Sequence, residues 1–83
     1  MFEARQYLNS LGDMIYFFPS KTFPTSLVGA VRGQLVCIFF GKDKLTKEEL
    51  LFSAKIRGCL GEVYLVTSFA ELTILTKKRG WHD

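Results

Sequence analysis

Eighty-three residues leave room for one domain with a modest core, which excludes a second folded unit and makes dimerisation a natural source of extra stability. A hydrophobic share of 48% with 14% aromatics excludes a disordered chain, and no apolar run reaches the ~18 residues of a membrane span. The net charge of +3 permits a polyanionic partner without requiring one, and the lack of a charged leader before an apolar stretch points to an intracellular, cytoplasmic protein.

The first twelve residues set Ala4, Tyr7, Leu8 and Leu11 at i, i+3, i+4 and i+7, the stripe of an amphipathic helix that Gly12 can end. Met14 to Phe18 is β-branched and aromatic and reads as a short strand closed by Pro19. A loop with two prolines follows. Residues 26–40, SLVGAVRGQLVCIFF, read as two strands joined at Arg32-Gly33-Gln34, a tight hairpin that needs glycine where φ is positive. The second arm, Leu35 to Phe40, is apolar throughout and is expected to be covered on both faces.

Two helix starts carry the same S/T-x-x-E signature, Thr46 with Glu49 and Ser68 with Glu71, in which each side chain satisfies the other residue's backbone N–H. Leu45 and Leu50 suit a hydrophobic staple around the first box. The helix it opens is predicted over Lys47 to Leu60, with Phe52, Ile56, Cys59 and Leu60 as its core stripe. EVYLV at 62–66 reads as a short buried strand. Phe69, Leu72 and Leu75 pack a last helix that frays over residues 77–83. Cys37 and Cys59 are expected as buried free thiols, and His82, the only histidine, gives them no cluster for a metal.

The predicted order, α-β-β-β-α-β-α, implies an α/β fold. A hairpin followed by a right-handed β-α-β crossover gives a mixed sheet flanked by helices. This order resembles the core of the PD-(D/E)XK nucleases, and within them the virus-type replication-repair nuclease (VRR-NUC) domain. The stretches FPTSLVGAVRGQLVCIFFGKDKLTKEE and CLGEVYLVTSFAEL carry the resemblance, through hydrophobic framing more than through signature residues. It implies a restriction-endonuclease-like core across the single domain 1–83 and, as in viral members, a homodimer.

That family builds its site from a G-x-P-D turn and an I-E-x-K strand. Two carboxylates hold a divalent cation that activates water, and the lysine stabilises developing charge. Pro24 matches the turn proline, but Thr25 stands for its aspartate and Thr22 for its glycine. Phe39 stands for the strand acid and Gly41 for the lysine, while Glu3 corresponds to the first-helix glutamate only in a shifted register. With the catalytic positions replaced, the resemblance implies a non-catalytic, DNA-binding protein without a cofactor or metal. Glu48 and Glu49 with Lys42 and Lys44 are the candidates for a migrated site, the one case that would call for Mg²⁺ or Mn²⁺.

Lys21, Arg32, Lys42, Lys44 and Lys47 are the candidate DNA contacts, because loops that flank the family's cleft carry them and phosphate tracking needs no metal. The run KKRGWH could add a stacking aromatic, although cations also suit a helix C-terminus. Leu51, Ala54 and Gly58 form a second apolar face on their helix, the candidate interface for a second copy or another protein. The rival readings are a protein-interaction module, such as a small inhibitor of a nucleic-acid-processing complex, and a nuclease with a migrated site.

Overall fold

The computed structural model describes residues 2–41 and 43–82. The chain runs α1 (Phe2–Asn9), β1 (Ile15–Pro19), β2 (Ser26–Val31), β3 (Gln34–Phe40), α2 (Lys47–Gly58), β4 (Glu62–Val66) and α3 (Phe69–Arg79), in the predicted order. The strands form one mixed sheet, β1-β2-β3-β4, antiparallel across the first three and parallel between β3 and β4. This α/β arrangement is compatible with a restriction-endonuclease-like core. Among the described residues no helix is long and apolar enough to cross a membrane.

The hairpin is a two-residue loop, since Val31 pairs with Gln34. Arg32 and Gly33 both have positive φ, 50° and 84°, the geometry whose twist matches that of the flanking strands. The strained arginine is anchored: its guanidinium donates to the Gly80 and His82 carbonyls at 3.0 and 2.9 Å.

Side chains alternate across the sheet and divide the interior in two. On one face α1 and α3 bury Leu8, Phe17, Leu27, Val36, Ile38 and Leu72. On the other, α2 covers Cys37 and Phe39, with Phe23, Phe52, Ile56, Val63 and Leu65 packed around them. β4 is half-covered, not the buried strand the sequence suggests, because it is an edge strand.

Residues 77–82 do not fray as predicted. α3 holds to Arg79, Gly80 turns back at φ 68°, and the Trp81 N–H donates to the Thr76 carbonyl at 2.9 Å. Such a closing motif commonly brings an apolar contact with it. Here Trp81 enters the core, its ring centroid 6.0 Å from that of Phe17 and 5.6 Å from that of Tyr64.

The end of α2 also differs from expectation. The helix stops at Gly58, and the Gly61 N–H returns to the Ile56 carbonyl at 2.8 Å, the same motif with Leu60 at φ 63° in the left-handed position. A Cβ on Gly61 would lie 2.6 Å from Ile56 Cγ2, so the chain can turn this closely only at a glycine. Cys59 and Leu60 are thereby lifted out of the core; Leu60 is 86% exposed and Cys59 is a free, exposed thiol. Of the predicted stripe, Phe52 and Ile56 alone pack inward. Leu45 joins the core as the staple requires, but Leu50 stays exposed.

Polar side chains of α1 close the outer edge of β1. The Asn9 side-chain amide accepts from the Phe17 N–H at 2.7 Å and donates to its carbonyl at 3.1 Å, as a neighbouring strand would. Arg5 Nε adds a second donor to that carbonyl at 3.2 Å. The Ile15 N–H is taken by the Gly12 carbonyl, and Pro19 has no N–H to offer.

Candidate nucleic-acid interface

The pairing of Ser26 with Phe39 brings the β1–β2 loop beside the end of β3. Phe40 N–H donates to the Thr25 carbonyl, and Gly41 N–H to the Val66 carbonyl, both at 2.8 Å. One end of the sheet therefore gathers Lys21, Thr25, Gly41, Lys44 and the first turn of α2 with Lys47. Lys21, Thr25, Gly41, Lys44 and Lys47 are all exposed. The lysines make no ion pair among the described residues, although Asp43 and Glu48 share the same end. Lys42 lies outside the described residues.

The family positions do not converge on one point. Phe39 is fully buried on the α2 face, edge-on to Phe23 with ring centroids 6.3 Å apart, and Phe23 stands 5.1 Å from Phe52. Gly41 lies past the strand end at φ 70°, where a lysine would be strained. It lines a small hollow on the α1 side with Glu3, Phe40, Thr67, Ser68 and Phe69. Glu3 and Gly41 thus share one face while Phe39 occupies the other. An apolar aromatic cluster of Phe23, Phe39 and Phe52 fills the α2 side.

Of the migrated candidates, Glu49 is buried and builds the cap of α2. Its Oε1 accepts from the Thr46 N–H at 2.8 Å, and its own N–H donates to Thr46 Oγ1 at 3.3 Å. Burial pushes the nearby Cys37 thiol up to about 12, and the Glu49 charge adds to that rise. Glu48 is exposed in the first turn, where a negative charge complements the helix dipole. Among the described residues no three His, Cys, Asp or Glu side chains stand close enough together to hold a metal ion.

Arg32 belongs to the opposite end of the sheet, tied to the carbonyls beyond α3. That end also collects Lys55 and Arg57 from the last turn of α2 and Lys77, Lys78 and Arg79 from the last turn of α3. Sequence reasoning missed this grouping because the two helices are far apart in the chain. The one available signal was the preference of cations for helix C-termini. Arg79 is partly engaged, 2.7 Å from Glu62 and over the Tyr64 ring. The Tyr64 hydroxyl donates to Glu62 at 2.9 Å; burial, then this bond and the Glu62 charge, raise its pKa against the opposing pull of Arg79. Trp81 is core and cannot stack on a base.

On α2, Leu51 is 60% exposed, and Ala54 and Gly58 are exposed beside it. No described segment covers them. Comparison of the chain with protein-family models, with curated proteins and with solved structures finds no match.

Proposed function

We propose that the chain is a non-catalytic, nuclease-like protein that self-associates and binds DNA electrostatically. The observation that carries the reading is the pairing of opposites at one end of the sheet. Exposed Lys21, Lys44 and Lys47 share the end of the sheet at which β3 finishes, and there the buried Phe39 stands where the resemblance would set the metal-binding acid. Cations of this kind neutralise phosphates without a metal ion, and such binding weakens steeply with salt. Hydrolysis would need a cation near Phe39, in an apolar cluster that offers it no ligand.

The test is fluorescence anisotropy with duplex and branched DNA at low and moderate salt, with and without Mn²⁺. The expected result is salt-sensitive binding indifferent to Mn²⁺, with the Lys21/Lys44/Lys47 triple glutamine variant losing about three counterions' worth of salt slope. Metal-dependent cleavage of the DNA, lost on Glu48→Gln, would overturn the non-catalytic reading. A slope unchanged by the triple variant but reduced by Lys55, Arg57 and Lys77 replacements would move the interface to the far end. A second reading, a protein-interaction module, is favoured by the uncovered Leu51, Ala54 and Gly58. In that case no DNA binding appears at low salt, and a partner is lost on Leu51→Glu.

A further inference from the structure

The two outer strands of the sheet differ in what their free edges offer. In β4 the Val66 carbonyl accepts from Gly41 N–H, so Glu62, Tyr64 and Val66 turn their peptide groups toward β3. By strand alternation Val63 and Leu65 turn theirs outward. Two N–H and two C=O groups therefore lie along an edge to which no strand is paired among the described residues. Beside them runs a groove between β4 and α3, floored by Tyr64 and Leu75 and rimmed by Ile74, which is 63% exposed. Glu71 and Lys78 stand at its two ends, two helical turns apart, with Ile74 and Leu75 midway between them.

We propose that this edge takes a second copy of the chain, β4 against β4 in antiparallel register about a twofold axis at Tyr64. Three features of the edge suit such a contact. Pairing Val63 with Leu65 of the partner subunit, and the reverse, satisfies all four outward groups and continues the sheet. Because α3 runs back along β4, the same axis brings Glu71 of each copy toward Lys78 of the other. A stripe reading acid, apolar, apolar, base is self-complementary under a twofold axis, which is the condition for an isologous contact. Ile74 meets its own copy at the centre, and the exposed apolar surface there is covered. The α2 face, with Leu51 at its centre, stays on the far side of the sheet and is left for other contacts.

The inference rests on the self-association in the proposed function and uses none of the lysines assigned to DNA. Sedimentation equilibrium over a range of concentrations tests it, with circular dichroism to check that each variant is folded. Ile74 and Lys78 are exposed, so Ile74→Lys and Lys78→Glu should fold normally. The native chain is expected to approach twice its mass of 9.5 kDa. Lys78→Glu turns two attractive pairs repulsive and is expected to raise the dimer Kd about tenfold, with Lys78→Arg near native. Ile74→Lys is expected to leave a monomer, and Leu51→Glu a dimer. A dimer that survives Ile74→Lys and Lys78→Glu but dissociates on Leu51→Glu overturns the inference and leaves self-association standing. A monomer at every concentration overturns both.

Discussion

β1 and β4 are the two borders of one sheet, and the chain treats them oppositely. At β1, Asn9 answers both peptide groups of Phe17, Gly12 takes the N–H of Ile15, and Pro19 carries no donor. At β4, no strand among the described residues lies beyond Val63 and Leu65, and the flanking helix presents Ile74 to solvent. An open edge is a template for any passing strand, so most proteins blunt theirs. One sealed edge and one open edge limit strand addition to a single site, and a pair can form where a fibre would otherwise grow. The cost at β4 is a strand only half covered by its own chain.

Trp81 is the place where the contrast can be broken outright, because its ring lies against Phe17 of β1 and Tyr64 of β4. Trp81→Ala is expected to cost about 3–5 kcal/mol in urea unfolding, enough to unfold much of so small a domain. A loss below about 1 kcal/mol would mean the end of the chain is peripheral to the core.

Asn9 sharpens the contrast from the β1 side. Asn9→Ala leaves the Phe17 peptide without its side-chain partner, at an expected cost of about 1–3 kcal/mol. It should also open a second edge, so that assemblies larger than a dimer appear in sedimentation velocity. Unchanged stability and size would show that the seal is ornamental.

The smallest effect is expected at Arg79, whose pair with Glu62 borders β4. Both side chains are partly exposed, 44% and 33%, so Arg79→Ala should cost no more than about 1 kcal/mol. Its effect is expected at the β4 border, with the amides of β1 unchanged by NMR.

These positions were not equally visible in the sequence. The seven elements and their order were legible because their signals are local: the 3.6-residue stripe of α1, the Arg32-Gly33 turn and the Thr46–Glu49 box each depend on neighbours in the chain. The ends of α2 and α3 were misread because Leu60 takes a conformation usual for glycine and because Trp81 finds its partners in distant strands. Lys21, Lys44 and Lys47 are joined by topology at one end, and Arg32 is taken to the other by the length of its hairpin. The asymmetry of the edges was not legible. It depends on Asn9 reaching Phe17 and on which peptide groups of β4 face outward, and both are set by the assembled sheet.

Residue-resolved amide hydrogen exchange at several protein concentrations tests the contrast most directly. The Phe17 amide is expected to be slow at every concentration, while those of Val63 and Leu65 exchange fast in dilute solution and slow as the chain dimerises. Val63 and Leu65 amides protected equally at all concentrations, or a Phe17 amide as fast as theirs, would contradict it.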